Sequence, residues 1–211
     1  MITSLPNMLT LSRIAAIPVL VALFFVPAPA GPWLALAVFA LAGVTDFLDG
    51  HIARTRQLQS RLGVMLDPIA DKLLVASIIF LLVAFGRVEG PHIIPAAVIL
   101  CREIIVSGLR EFLATLQVGV PVSRLAKWKT AIQMVAMAFL ILGHAGPAGT
   151  ETVGLTALWL AAALTLVTGY TYFRSGLRHA TEKPAPTPLP WHEPDEESDS
   201  LDHAPHAHKA G

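Results

Sequence analysis

The sequence predicts an all-α integral membrane protein with six transmembrane helices and a short N-terminal amphipathic segment. Of its 211 residues, 54% are hydrophobic and only 14% are charged, and the mean hydropathy is +0.62. Soluble domains carry about 25% charged residues, so this composition favours a polytopic membrane protein. A bilayer core of roughly 30 Å is crossed by about 20 helical residues. The apolar stretches that fit this length, some of them shortened and polar-ended, are residues 14–26, 33–47, 62–85, 93–112, 128–142 and 153–173.

The N-terminal segment, residues 6–13, precedes the first apolar stretch. Asn7, Thr10 and Arg13 recur at three-residue spacing and would share one face of a helix. Their chemistry fits an N-cap and a membrane-surface anchor as well as it fits contacts to a ligand. A cleaved signal peptide is a further alternative, because Ala28-Pro29-Ala30 resembles a cleavage site, but no basic cluster precedes the apolar stretch. We therefore expect the segment to be retained.

The charges are distributed unevenly along the chain. Residues 1–180 carry 13 basic and 8 acidic side chains, whereas residues 181–211 carry 2 and 7. Six spans would put both termini on one side together with nearly all the basic residues, and the opposite loops hold only Arg87. By the positive-inside rule, the termini face the cytoplasm of a bacterial-type inner or cell membrane.

Residues 1–180 are predicted to form the membrane domain, and residues 181–211 a disordered, acidic, histidine-containing tail. The tail has six prolines and no apolar periodicity, and metal binding by His203, His206 and His208 is the alternative. The single cysteine, Cys101, lies in an apolar stretch and is expected to be a small buried side chain.

The segment 46–71 carries the strongest functional signal and reads DFLDGHIARTRQLQSRLGVMLDPIAD. Asp46 and Asp49 are three residues apart and Asp67 and Asp71 are four apart, so each pair would project from one helix face. An unpaired carboxylate inside a membrane costs roughly several kcal/mol, so these groups need a counter-charge. Two such pairs facing a shared polar cleft would form an oxygen-rich site for Mg²⁺ or Mn²⁺, with two ions expected.

The residues between the two aspartate pairs suit a phosphate ligand. Gly50 and Gly63 have no side chain, so a ligand or a neighbouring helix can approach their backbone. Arg54 offers a fork of donors to an anionic substrate, and Ser60 adds a hydroxyl. The segment therefore predicts that a phosphate is bound between metal and guanidinium.

This segment resembles the CDP-alcohol phosphotransferase family. The family pattern is DxxDGxxAR-x8-G-x3-D-x3-D, where x is any residue. Every fixed position of this pattern is matched in the segment. The eight matching residues are Asp46, Asp49, Gly50, Ala53, Arg54, Gly63, Asp67 and Asp71. Residues 6–18, 102–114 and 127–134 resemble the phosphatidylglycerophosphate synthases within that family.

The resemblance implies several roles. CDP-diacylglycerol would be the donor, and Asp71 would be the general base as well as a metal ligand. Asn7 and Thr10 would help to cover the cytidine diphosphate, alongside Gly50, Arg54, Ser60 and Gly63. The resemblance also implies a homodimer. The expected partners are membrane lipid, CDP-diacylglycerol and the acceptor, glycerol 3-phosphate. No nucleic acid is expected to bind.

The second half of the chain carries an excess of positive charge that would suit a phosphorylated acceptor. It consists of Arg102, Arg110, Arg124, Lys127 and Lys129. Any one of these side chains could instead form a salt bridge or snorkel to the membrane surface. Together they favour sn-glycerol 3-phosphate, with Arg110 and Lys127 as the preferred phosphate ligands. The predicted reaction transfers a phosphatidyl group to this acceptor and releases CMP.

Three alternatives stay open. The same chemistry could use inositol phosphate or phosphatidylglycerol as the acceptor. A divalent-cation transporter could also use intramembrane carboxylates, but it needs a path from both sides, and all four aspartates lie towards predicted cytoplasmic helix ends. A non-catalytic membrane scaffold is the third alternative.

Overall fold

The computed structural model describes residues 5–56, 61–115 and 124–181, and these residues form helices and no strand. The helices are α1 (Leu5–Phe24), α2 (Ala30–Arg56), α3 (Arg61–Ala84), α4 (Ile93–Thr115), α5 (Arg124–Leu142) and α6 (Thr150–Thr181). Short 3₁₀ turns precede α4 and follow α5, at Gly90–His92 and Gly143–Ala145. The predicted all-α class is confirmed, and the predicted tail lies beyond the described residues from 182 onwards.

Within the described residues, three helical stretches are long and apolar enough to cross a membrane, namely Gly90–Leu113, Leu125–Ala145 and Thr150–Tyr170. The apolar parts of α1 and α2 are shorter, at Thr10–Phe24 and Ala30–Thr45. The number of six spans therefore stays a prediction. Helix α1 runs without interruption from Leu5, so the predicted amphipathic segment and the first predicted span belong to one helix.

The six helices pack as a closed ring in the order α1, α2, α5, α6, α4, α3. The contact between α5 and α6 is the most extensive, and α3 also reaches α5 across the ring. Helix α1 packs against both α2 and α3, and the pair α2–α3 is not among the extensively packed pairs of the described structure. The two aspartate-bearing helices therefore share α1 as a packing partner.

One end of the ring, here called the Arg87 end, is held together by specific contacts. Phe24 and Phe25 of α1 pack edge-on against Phe85, with ring centroids 5.4 and 5.1 Å apart. Arg87 Nη1 donates a hydrogen bond of 3.2 Å to the carbonyl oxygen of Ile141 in the last turn of α5. A cation there interacts favourably with the helix C-terminus. Helices α1, α3 and α5 end at this side, and α2, α4 and α6 begin there.

The middle of the ring is an apolar core to which all six helices contribute. Ile78, Ile99 and Leu140 are fully buried in it, whereas Phe25 and Phe80 point outwards with 73% and 71% of their surfaces exposed. Gly154 of α6 lets its helix approach α5 closely, since a Cβ there would lie 2.9 Å from Leu140 Cγ. Close packing at small residues and an apolar outer surface are typical of helices in lipid.

The prediction that Cys101 is buried was wrong, because its side chain is exposed on α4. Ile104 and Ile105, one turn further along the helix, are also exposed. Helical periodicity places Cys101 on this outward apolar face rather than on the face that meets α6.

Candidate functional site

The opposite end of the ring is here called the Asp71 end. The side chains buried between the helices are polar at this end, whereas those in the middle of the ring are apolar. Thr10 and Arg13 of α1, Lys129 and Gln133 of α5, and Thr165 and Thr168 of α6 are all buried. We call these residues, together with the partly buried Arg102 and Glu103 of α4 and the exposed Asp71 of α3 beside them, the buried polar cluster. Buried polar groups are costly unless they are paired, so such a concentration marks a functional site.

An ion-pair network links three helices of this cluster. Lys129 Nζ donates a short hydrogen bond to Glu103 Oε1, and Arg102 Nη1 lies 3.4 Å from the same oxygen. Arg102 Nη2 donates to Thr168 Oγ1 at 3.2 Å. Lys129 is only 3% exposed and Glu103 20%. Two cations therefore share one carboxylate, which leaves positive charge for a further anionic group.

Asp71 of α3 lies near this network on a fourth helix. Its charge is close enough to attract that of Lys129, and its side chain is exposed. Helices α1 and α3 run in the same direction with Phe24 level with Phe85. This register places Thr10 level with Asp71, so the start of α1 faces the same end of the ring.

The helical spacing of α5 and α6 explains how the cluster is positioned. Lys129 and Gln133 are four residues apart and continue the buried face that Ala136 and Met137 form deeper in the ring. On α6, Gly169 allows the Arg102 side chain to lie against the helix, since a Cβ there would be 3.2 Å from Arg102 Cγ. The same faces are thus apolar in the core and polar at the Asp71 end.

Two uncharged side chains of the cluster have a buried oxygen without a hydrogen-bond partner in the described part of the chain. These atoms are Gln133 Oε1 and Thr165 Oγ1, in residues that are 3% and 0% exposed. A buried polar atom left unpaired costs about 1–3 kcal/mol. This end of the ring therefore offers polar atoms that a bound polar molecule could satisfy.

Of the four predicted metal-binding aspartates, only Asp71 has a described side chain. Asp46 and Asp49 lie on α2 and Asp67 on α3, and their side chains are outside the described residues. Gly43 of α2 faces Met134 of α5, and the two helices run in opposite directions. The backbone thus brings Asp46 and Asp49 to the Asp71 end.

The metal site stays a prediction. Among the side chains that the structure describes, no group of three or more histidine, cysteine, aspartate or glutamate residues could hold a metal. The donor set itself fits a hard divalent cation, because carboxylate oxygens are the ligands that Mg²⁺ and Mn²⁺ prefer.

The predicted contacts to the CDP-lipid are only partly described. Gly50 and Arg54 lie on α2 and Gly63 on α3, but the Arg54 side chain, the Asn7 side chain and all of Ser60 are outside the described residues. Thr10 is the exception and is buried.

The five predicted acceptor ligands fall into three groups. Arg102 and Lys129 lie in the cluster, whereas Arg110 and Lys127 are exposed, and the Arg124 side chain is outside the described residues. Arg102 and Lys129 also form salt bridges with Glu103. A salt bridge was the alternative to phosphate binding that the sequence left open for these side chains.

The sequence reasoning left Gln133, Thr165 and Thr168 out of the predicted site. The signal for them was present, since polar residues recur in helical spacing with Lys129 on α5 and with each other on α6. Glu103 was likewise not among the predicted site residues.

Comparison with known proteins decides the family. A sequence model of the CDP-alcohol phosphatidyltransferases matches residues 3–167. The chain belongs to this family. The matched range of this CDP-alcohol phosphatidyltransferase contains every residue of the buried polar cluster except Thr168.

Individual relatives cover most of the chain. A Rickettsia bellii protein named CDP-diacylglycerol–glycerol-3-phosphate 3-phosphatidyltransferase is 50% identical over 174 residues, which is 82% of this chain and 94% of the relative. A Cereibacter sphaeroides protein of the same name is 36% identical over 217 residues, or 85% and 98% of the two chains. A cardiolipin synthase (CMP-forming) of Oryza sativa subsp. japonica is 38% identical over 190 residues, or 81% and 56%.

Proposed function

We propose that this chain transfers the phosphatidyl group of CDP-diacylglycerol to sn-glycerol 3-phosphate. The observation that carries the proposal is the likeness to relatives named for this reaction, at 50% identity over nearly their whole length. The buried excess of positive charge around Arg102 and Lys129 supports it, because a phosphorylated acceptor needs such a site.

The reaction is a displacement at phosphorus. The primary hydroxyl oxygen of the acceptor attacks the phosphorus that bears the lipid, and the bond from that phosphorus to the CMP phosphate oxygen breaks. CMP leaves with the electron pair, the hydroxyl proton passes to a base, and phosphatidylglycerophosphate is the product. Catalysis of such a step depends on positioning and on neutralising the phosphate charges.

The cationic part of the cluster would bind the acceptor phosphate. Lys129 and Arg102 are held by Glu103 and Thr168, so their donors are fixed before the substrate arrives. An arginine fork and a lysine ammonium together suit a phosphate dianion. The exposed Arg110 and Lys127 would then guide the acceptor towards this site.

The carboxylate part of the site would act on the donor. Asp46, Asp49, Asp67 and Asp71 would hold Mg²⁺ or Mn²⁺, as two ions, and the metal would neutralise charge on the diphosphate. Asp71 would also take the hydroxyl proton as general base. Its closeness to Lys129 supports this role, because the base must adjoin the place where the acceptor phosphate lies.

The donor would lie at the membrane surface. Asn7 and Thr10 of α1 and Gly50, Arg54, Ser60 and Gly63 would surround its cytidine diphosphate. Exposed aromatic side chains at both ends of the apolar stretches, such as Trp128 and Tyr170 at one end and Trp33 at the other, support six spans between two membrane surfaces. We place the Asp71 end at the cytoplasmic surface and infer a homodimer.

Purified protein in liposomes with CDP-diacylglycerol, Mg²⁺ and radiolabelled glycerol 3-phosphate tests the proposal. CMP release and labelled lipid should appear in equal amounts. The rice relative makes phosphatidylglycerol the acceptor to compare, since that protein is named a cardiolipin synthase. CMP release with phosphatidylglycerol or inositol phosphate, and none with glycerol 3-phosphate, would overturn the acceptor but keep the class of reaction.

A further inference from the structure

We propose that Gln133, supported by Thr165, reads the secondary hydroxyl of the acceptor and so determines its specificity. This inference rests on the proposed function and adds a contact that the charged residues cannot supply. Lys129 and Arg102 recognise a phosphate, and any alcohol phosphate has one. Discrimination between such acceptors needs groups that recognise the carbon chain and its hydroxyls.

Gln133 and Thr165 are the deepest polar side chains that α5 and α6 contribute to the cluster. Gln133 lies four residues further into the ring than Lys129, which is one helical turn or about 6 Å. Thr165 lies three residues further in than Thr168, the residue that receives the Arg102 hydrogen bond. Beyond them, Ile99, Ala136 and Ala161 are buried and apolar. The two residues therefore form the floor of the cluster on the side of α5 and α6.

The Gln133 side chain leans back towards the cluster. Side chains on a helix lean towards its N-terminus, and the N-terminus of α5 is at the Asp71 end. The contact of Gly154 with Leu140 sets the register of α5 against α6. Since these helices are antiparallel, that register places Thr165 within about one helical turn of Gln133.

Both side chains are built to bind something polar. Gln133 Oε1 and Thr165 Oγ1 are buried and lack a hydrogen-bond partner in the residues described. Rotation of the amide exchanges its carbonyl and NH₂ groups, so Gln133 can accept from or donate to a hydroxyl. A site whose buried polar groups need a hydroxyl rejects a substrate that lacks it.

A pair of acceptors separates this contact from phosphate binding. Glycerol 3-phosphate and 3-hydroxypropyl phosphate both have the phosphate and the attacking primary hydroxyl, but only the first has the secondary hydroxyl. Wild-type protein should prefer glycerol 3-phosphate by about tenfold in kcat/KM, as expected for one buried hydrogen bond.

Gln133→Met keeps the length of the side chain and removes its polar end. It should lower kcat/KM for glycerol 3-phosphate about tenfold and leave that for 3-hydroxypropyl phosphate within about twofold, so the preference disappears. Thr165→Val is isosteric and should reduce the preference in the same direction. Thr156→Val is the matched control, because Thr156 is an exposed threonine on the same helix whose hydroxyl bonds to the Thr152 carbonyl.

The outcomes are separable. If the two acceptors lose activity equally in Gln133→Met, Gln133 has only a structural role and the inference is overturned. It is also overturned if wild-type protein uses both acceptors equally well. If Gln133→Met fails to fold, as thermal unfolding in detergent would show, Thr165→Val decides the matter alone. An absence of CMP release from wild-type protein with glycerol 3-phosphate, while another acceptor works, contradicts the proposed function itself.

Discussion

Replacement of Lys129 by methionine tests the acceptor site most sharply. The change keeps the length and the apolar stem of the side chain and removes its charge. Lys129 is 3% exposed and donates to Glu103, which is 20% exposed and also lies 3.4 Å from Arg102. The variant therefore removes one of two cations from the site and leaves Glu103 with the other.

The expected loss follows from these contacts. A hydrogen bond between charged groups is worth about 1.5–3 kcal/mol, which corresponds to about 10–150-fold in kcat/KM for glycerol 3-phosphate. Breaking a buried ion pair costs about 3–5 kcal/mol of stability. Glu103 is partly exposed and retains Arg102, so we expect the free energy of unfolding to fall by about 1–2 kcal/mol, well below that range.

Lys127→Met is the internal comparison, because Lys127 has the same charge two residues away on α5 but is exposed. Solvent and salt screen its charge, so we expect a change of about twofold or less. The assay is the initial rate of CMP release in liposomes at saturating CDP-diacylglycerol, as a function of glycerol 3-phosphate. A larger loss in Lys127→Met than in Lys129→Met would refute the assignment, as would a Lys129 defect confined to the KM for CDP-diacylglycerol.

Three further predictions concern packing, the far end of the bundle and the metal. Gly154→Ala should lower the free energy of unfolding by about 1–3 kcal/mol through overpacking of α5 against α6. Gly108→Ala is the control and should not lower it, because a Cβ at this position meets open space. Equal melting temperatures of the two variants in detergent would contradict this prediction. Arg87→Met should cost about 1 kcal/mol by removing the hydrogen bond to the end of α5, with CMP release unchanged. Burial lowers the pKa of Arg87, but arginine stays protonated in proteins, so this cost should be the same at pH 6 and pH 9; a pH-dependent cost would argue against it. EDTA should abolish CMP release and Mg²⁺ or Mn²⁺ should restore it, and activity that persists in EDTA would exclude the metal.

The helices were predictable from the sequence because their apolar stretches are long and bounded by polar residues. The predicted stretches 93–112 and 128–142 fall inside α4 and α5. The order of packing was not predictable, since lipid-facing and core-facing residues are both apolar. Cys101 shows the difficulty. The apolar residues around it in the sequence suggested that it is buried, but its position on α4 places it on the outer face of the helix.

The candidate site was predictable where charges stood out against apolar sequence. Asp71, Arg102 and Lys129 were identified in this way, and the structure brings them to one end of the ring. Which lysine is buried could not be read from the sequence, because Lys127 and Lys129 differ only in the face of α5 that they occupy. Gln133 was missed because an uncharged polar residue in an apolar helix is a weak signal without knowledge of its neighbours.

A structure determined with Mn²⁺, CDP-diacylglycerol and glycerol 3-phosphate tests the central claim most directly. It should show anomalous scattering from manganese between the aspartates of α2 and α3, and the acceptor phosphate within hydrogen-bonding distance of Lys129 and Arg102. Manganese bound elsewhere, or an acceptor phosphate held only by exposed basic residues, would contradict the claim that the buried polar cluster is where the phosphatidyl group is transferred.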